Sequence, residues 1–285
     1  MRYKGCVFVP KNFDEKEKIE KFLPIDIGII GGSGNYDPQF LKDVMELKIH
    51  TPYGAPSDYY LIGKVGDKKV AFLARHGRGH MIPPHKINFQ ANIWGFKSMG
   101  VHTIISPGAC GSLQPDTIDV GDFVICDQIF DRTFGKRADT FFDSGIVCHI
   151  PFAKPFCEHT RNVIIETCKE IGLKYHPKGT YVCINGPRFS TAAESKFYQS
   201  QKFSVVGMTV YPECILAREA EICFANISMS TDKDVYGDEP VDIAEILEAI
   251  AKNVSNVNNL VFKVIPKLQY KENCECHKAL ETSMI

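Results

Sequence analysis

Ile27-Gly28-Ile29-Ile30-Gly31-Gly32-Ser33-Gly34 is the stretch whose reading decides the fold of this chain. It is a short apolar run that stops in glycines with one hydroxyl among them. A run this brief, with Pro24 before it and glycines after it, suits a strand buried on both faces of a parallel sheet. The glycines let backbone N–H groups approach a ligand, and such a nest of donors favours an anion. Ser33 adds a hydroxyl at that spot. The same residues also suit a tight turn into the next element, and the stretch alone leaves both readings open.

Working outward, residues 101–106 form a second buried run, and Pro-Gly-Ala-Cys-Gly-Ser at 107–112 repeats the strand-then-glycine arrangement. Further strands are expected over 44–50, 58–65, 68–74, 120–126, 179–184, 203–206 and 224–229. Phe89, Ile93, Trp94, Phe96 and Met99 recur at helical spacing up to Gly100, where a C-cap belongs. Residues 158–171 predict a helix with Val163, Ile164, Cys168 and Ile171 inward. Thr191 with Glu194 reads as a capping box, and Pro212 suits a helix's first turn. Val241, Ile243, Ile246, Leu247, Ile250, Val254, Val257 and Val261 mark one long amphipathic helix stopping at Pro266. Residues 128–156 lack periodicity and read as a long functional loop. Strands alternating with helices argue for a single α/β domain, with a central mixed, largely parallel twisted sheet flanked by helices. Residues 1–24, which carry alternating charges, read as an extension outside the core.

Bulk properties narrow the function. An apolar fraction of 44% and a charged fraction of 24% are ordinary for a soluble protein. A net charge of -1 gives no reason to expect nucleic-acid or membrane-surface binding. No apolar run approaches the ~18 residues of a membrane helix, and the N-terminus lacks a signal peptide's apolar region. A cytoplasmic protein is expected. Most of the 11 cysteines sit in apolar segments and read as buried reduced thiols. The exception is Cys274-Glu-Cys276-His277. No second Cys or His pair stands near it in sequence to complete a zinc site, so no metal is expected there; a redox pair or a crosslink is favoured.

Five expected strands end in glycine or polar residues, at Ser33, Gly108, Asn185, Thr209 and Asp232. Ligands of open α/β sheets sit beyond such ends, so one composite site is more economical than five loops. The opening stretch has no Gly-Lys-Ser/Thr, and Asp37 stands where the third glycine of a dinucleotide fingerprint belongs. Asn35 replaces the last glycine of an esterase elbow. A single small anion therefore fits better than a dinucleotide or a hydrolytic serine. Arg75-His76-Gly77-Arg78-Gly79-His80 is the densest cationic cluster. Its arginines would repel a divalent cation but clasp phosphate in a fork; an exposed loop making surface ion pairs is the plainer reading. Phe189 and Ser190 offer an aromatic face and a hydroxyl for a planar base. If strand alternation persists through Asp232-Lys233-Asp234, both carboxylates point one way. Like charges then raise one proton affinity, which suits a general acid; a turn-capping pair fits the residues equally well.

The assembled motifs resemble the family of trimeric purine nucleoside and methylthioadenosine phosphorylases over roughly residues 26–268. The carriers are 27–34, Thr-Pro-Tyr-Gly-Ala-Pro-Ser-Asp (51–58), Arg-His-Gly-Arg-Gly-His (75–80), 88–94 and Ala-Cys-Gly-Ser-Leu (109–113). Gly-Pro-Arg-Phe-Ser-Thr (186–191), Gly-Met-Thr-Val-Tyr-Pro-Glu (207–213) and Thr-Asp-Lys-Asp (231–234) complete them. The resemblance implies a phosphorylase domain over 25–268, followed by a polar tail over 269–285. It implies phosphate held by Ser33, Arg75, His76, the backbone at Ala109, and Thr209. Met208 would lie against the ribose, with Phe189 and Ser190 around the base. Asp232 would serve purine N7, assisted by Asp234 near the 6-amino group. His149 would reach the 5' end from a neighbouring subunit of a trimer or dimer of trimers, and Ile243 and Leu247 would line a methylthio pocket. No metal or organic cofactor is implied, only inorganic phosphate as co-substrate.

Within that family, Ser190 and Asp232 stand where members acting on 6-oxopurines carry Glu and Asn, which favours adenine. The implied reaction is phosphorolysis of 5'-methylthioadenosine; a broader purine nucleoside or methylthioinosine phosphorylase, a hydrolytic nucleosidase and a nucleoside-binding protein are the rivals. Three departures stand out. Gly108 replaces a hydroxyl residue, Asn185 a glutamate, and Lys233 an aromatic between the aspartates, where a folded-back ammonium would lower their proton affinity.

Overall fold

The computed structural model describes residues 7–8, 13–32, 38–235 and 241–285, the side chains of 7–8 and 13–16 excepted. The first half of the chain forms β1 (Val7–Phe8), α1 (Phe13–Phe22), β2 (Ile27–Gly31), β3 (Lys42–Leu47), β4 (Ile49–His50), β5 (Tyr60–Val65), β6 (Lys68–Ala74), α2 (Phe89–Ser98) and β7 (Thr103–Ser112). The second half forms β8 (Phe123–Val124), β9 (Gln128–Arg132), α3 (Glu158–Glu170), β10 (Tyr175–His176), β11 (Thr180–Ile184), α4 (Ala192–Ser200), β12 (Val205–Gly207), α5 (Val210–Glu219), β13 (Cys223–Asp232) and α6 (Ile243–Val264).

β2 lies between β6 and β7 and runs parallel to both, and β13 follows β7 in parallel along its length. The main path of the 11-stranded sheet is β10-β8-β13-β7-β2-β6-β5-β3, with β9, β11 and β12 branching from β7 through antiparallel β12. The sheet is thus mixed and mostly parallel. Alternate residues of its centre enter two cores, as period two requires. Ile30, Ala71, Leu73 and Ile104 pack with Ile93 and Phe96 of α2 and Leu216 of α5. Ile27, Ile29, Val70, Phe72 and Ile105 meet Ile164 of α3 and Leu260 of α6 on the other face. Helices on both faces explain why 27–31 reads as an unbroken apolar run. Among the described residues no helix is long and apolar enough to cross a membrane.

The structure corrects the sequence reading in four places. The extension over 1–24 does not stay outside the core: Ile19 and Phe22 of α1 are buried in the first core. Burial is worth about 1.5–3 kcal/mol for such a side chain, so α1 belongs to the fold. β7 does not stop at Ser106 but runs through Pro107 and Gly108, because β13 pairs with it over the same length. The loop over 128–156 begins with a strand, β9, parallel to β11. β9 carries Asp131 and Arg132 and is only partly buried, so it leaves no alternation to read. Conversely, only Phe123–Val124 of the strand expected at 120–126 pairs as one. Beyond it the buried Arg161 guanidinium takes the carbonyls of Ile125 and Cys126 at 3.1 and 2.8 Å.

Candidate active site

Arg75 follows the last residue of β6, and its N–H donates to the Gly31 carbonyl at 3.0 Å, so the ladder carries it to the glycine end of β2. Its side chain is buried. Nε donates to Glu213 Oε1 at 2.5 Å and Nη2 to Glu213 Oε2 at 3.2 Å, to Ser106 Oγ at 2.6 Å and to the Ile30 carbonyl at 3.3 Å. Ser106 in turn donates to Glu213 Oε2 at 2.9 Å. Nη1, which makes none of these bonds, sits where a Cβ on Gly32 would lie only 2.6 Å away. Gly32 is needed for that close approach. The paired guanidinium cannot swing, and its remaining edge faces the glycine end of β2 and Gly108 in the middle of β7.

His76 stands beside it, buried, with Nδ1–H donating to the Ile82 carbonyl at 2.8 Å and its ring stacked on His80 at 4.3 Å. Burial, then the Arg75 cation, lower its pKa to about 3. The neutral ring with Nδ1 as donor leaves Nε2 an acceptor. Thr209, also buried, is the N-cap of α5 without using its side chain to cap. Ala109 is half-buried in β7, opposite Met229. Ser33 lies outside the described residues. A Cβ at Gly108 would be 3.9 Å from Arg75 Nη1, an ordinary contact, so the position has room for a side chain.

Three residues along β7, about 10 Å at strand rise, Gly111 meets the aspartates. A Cβ there would lie 2.7 Å from Asp232 Oδ1 and 3.1 Å from Asp234 Cβ. The expected alternation does not persist: β13 ends at Asp232 after a register shift, and Asp234 turns with φ 48°. The two residues converge nonetheless. Asp232 accepts from the Asp234 N–H at 2.8 Å and from the Thr231 hydroxyl at 3.0 Å, while Asp234 accepts from Ser195. Burial raises the proton affinity of both, against those hydrogen bonds; for Asp234 the Asp232 charge raises it further. Lys233 is exposed and is not among the groups that set either value. A cavity of ≈ 610 Å³ opens on this side, between the aspartates and the first half of α6.

Phe189, Ser190 and Met208 line none of that cavity. Ser190 is buried with its hydroxyl lacking a partner, beside a Phe189 that is 36% exposed. Met208 packs its sulfur against Gly186 of the same loop. A residue that sequence reasoning missed holds both segments: Arg137 donates to the carbonyls of Asn185 and Met208 at 2.9 and 2.7 Å and to Asn185 Oδ1 at 3.3 Å. Glu213, Ser106 and Ser195 were missed likewise. The one available signal was Glu213 itself, a charge within the otherwise apolar 210–217.

Three expected site residues are not gathered in by a single chain. Ile243 and Leu247, four apart on one face of α6, are 61% and 60% exposed and outside the cavity. His149 is exposed and its N–H donates to the Ser283 carbonyl at 2.7 Å, in the tail. The tail also overturns the reading that Cys274 and Cys276 lack partners. Cys157 and Cys223 lie beside them, brought by α3 and β13 from distant sequence.

A family model for the phosphorylase superfamily matches residues 26–266. An S-methyl-5'-thioadenosine phosphorylase of Hyperthermus butylicus is 50% identical over 264 residues, covering 91% of this chain and 96% of the relative. A protein of Dictyoglomus turgidum named a probable 6-oxopurine nucleoside phosphorylase is 48% identical over 258 residues, with 90% and 96% covered. The solved structure of methylthioadenosine phosphorylase from Schistosoma mansoni in complex with adenine matches at a TM-score of 0.85 and 38% identity, over 90% of this chain and 97% of that one.

Proposed function

The chain belongs to the phosphorylase superfamily, and from that membership we propose that it is a pentosyltransferase cleaving 5'-methylthioadenosine with phosphate to adenine and 5-methylthioribose 1-phosphate. One observation carries the reading. A single strand, β7, has an anion-holding arginine at its Gly108 step and proton-avid carboxylates at its Gly111 step. Breaking an N-glycosidic bond needs both: an anion beneath C1' to stabilise oxocarbenium character and then attack, and a proton for the departing purine.

In this reading Arg75 and Thr209 hold phosphate with Ser33 and the Ala109 backbone. As the new C1'–O bond forms and C1'–N9 breaks, the bonding pair moves into the purine and Asp232 protonates N7. HPO₄²⁻ gives up its proton as it becomes an ester. That proton passes to solvent; His76, held neutral by its low pKa, keeps to holding the phosphate by accepting a hydrogen bond at Nε2, and Asp232 is reprotonated from solvent. Asp234 and Ser190 address the 6-amino side of the base. The chemistry as written uses no metal or organic cofactor, and serves purine and methionine salvage.

Base choice rests on Ser190, Asp232 and Asp234, because overall identity is nearly the same to relatives named for 6-amino and 6-oxo substrates. The exposed Ile243 and Leu247, with His149 from a neighbouring copy, complete the methylthio end in a trimer or a dimer of trimers. Adenine release from methylthioadenosine that depends on phosphate tests the proposal. Faster turnover of inosine reassigns it to a broader purine nucleoside phosphorylase, and free methylthioribose without phosphate reassigns it to hydrolysis.

A further inference from the structure

Cys157, Cys223, Cys274 and Cys276 place their four Sγ atoms within 4.8 Å of one another. Three structural units converge there. Cys157 is the N-cap of α3, Cys223 opens β13, and Cys274 and Cys276 sit at the start of a 3-10 turn over Glu275–Lys278. All but Cys274, which is half-buried, are buried, and none is in a disulfide. Nucleoside chemistry makes no use of them.

The spacing separates two uses of such a cluster. Cys274 Sγ is 3.8 Å from Cys157 Sγ and 3.5 Å from Cys223 Sγ. A disulfide joins sulfurs at about 2.05 Å. A tetrahedral zinc with Zn–S near 2.3 Å holds its sulfurs about 3.8 Å apart. The observed separations are edges of that tetrahedron, and one thiol stands at such a distance from two others at once, which a single disulfide has no need of. Four sulfurs with no open position are the donor set of a structural site, and thiolates select zinc over the harder divalent ions.

We propose that these four cysteines form a structural tetrathiolate zinc site. Binding converts four thiols to thiolates and releases their protons, with no change of oxidation state. His277 borders the cluster: its Nδ1 donates to the Glu221 carbonyl at 2.9 Å, and its Nε2 lies 3.6 Å from Cys223 Sγ. The metal ties the tail to α3 and β13. Beyond it the tail pairs with 147–149: the Ile285 N–H donates to the Val147 carbonyl at 3.0 Å, and Cys148 bridges Met284. The site therefore anchors the segment that carries His149, and it does so whether or not the nucleoside reading holds.

The test is metal analysis of the full chain, purified with a thiol reductant and no chelator, together with a thiol titration after denaturation. One zinc per chain is expected, lost in the double variant Cys274→Ser, Cys276→Ser and kept in Cys148→Ser, whose thiol lies outside the cluster. Cobalt(II) exchanged into the wild type should give thiolate charge-transfer absorption and the visible bands of a tetrahedral site, which needs no variant to fold. A chelator should lower the Tm of the wild type. Metal-free protein overturns the proposal, whether its cysteines titrate as free thiols or prove paired in disulfides. So does zinc that persists in the double variant.

Discussion

At one step of the β7 glycine segment a buried arginine is held by a buried glutamate; three residues on, the half-buried Asp232 meets the buried Asp234. Both clusters border β7 and both rely on a glycine for close approach, Gly32 for the guanidinium and Gly111 for the carboxylates; they differ in the sign of the partner. Opposite charges in a bidentate fork offset each other's desolvation, and the guanidinium becomes a fixed feature of the wall. Two carboxylates without a cation have nothing to offset their desolvation, so burial makes both hold a proton more tightly, and at Asp234 the Asp232 charge adds to it. In the proposed function the first arrangement holds the anion and the second donates the proton.

The contrast breaks most visibly at Asp232. Asp232→Asn keeps the shape and removes the transferable proton, and turnover of adenine nucleosides should fall about 10²–10⁴-fold with binding only partly weakened. Steady-state kinetics with methylthioadenosine check this, and near wild-type turnover would remove Asp232 from the acid role. At the other end, Glu213→Gln strands a buried guanidinium. A loss of about 3–5 kcal/mol in urea unfolding is expected, with a raised KM for phosphate; an unchanged midpoint would mean the pair is not the anchor described.

Acid should act on the two ends with opposite signs. Burial holds the folded-state pKa of His76 at about 3 and, outside the site, that of His102, the residue before β7, at about 4, both below the unfolded 6.5. Below pH 6.5 the unfolded chain therefore binds more protons, and stability present above that pH is lost toward pH 3–4, by up to about 1.4 kcal/mol per pH unit and histidine. Asp232 and Asp234 work the other way, since their raised affinity lets the folded chain take up protons first. Asp232→Asn should then steepen the acid loss, and denaturant midpoints measured from pH 7 to 4.5 decide it. The smallest effect is expected at Gly108. Gly108→Ser adds a hydroxyl beside Arg75 Nη1, and one new hydrogen bond worth about 0.5–1.5 kcal/mol would lower the phosphate KM roughly two- to tenfold. A raised KM would mean the space is needed by the anion itself.

Local signals were legible where local physics decides the outcome. The buried strand at 27–31, the Thr191–Glu194 capping box and the long α6 follow from neighbours a few residues apart, and each stands as read. The edge strand β9 did not, since an edge half in solvent has no pattern to betray it. In the candidate site, Arg75 and His76 were readable from the basic, glycine-rich run over 75–80, and Asp232 from its place at an expected strand end. What each charge does was not, because it depends on what the fold sets against it.

By itself the sequence determined a mixed α/β sheet, glycine-ended strands and the family motifs that surround them. Only the tertiary structure decided that Arg75 is pinned by Glu213 across 138 positions, that Arg137 fastens the loops at Asn185 and Met208, and that four cysteines meet at the tail. The physical reason is common to all three. Hydrophobic periodicity is written within a few turns of chain, whereas the burial and partner of a polar group are set by segments that only folding brings together.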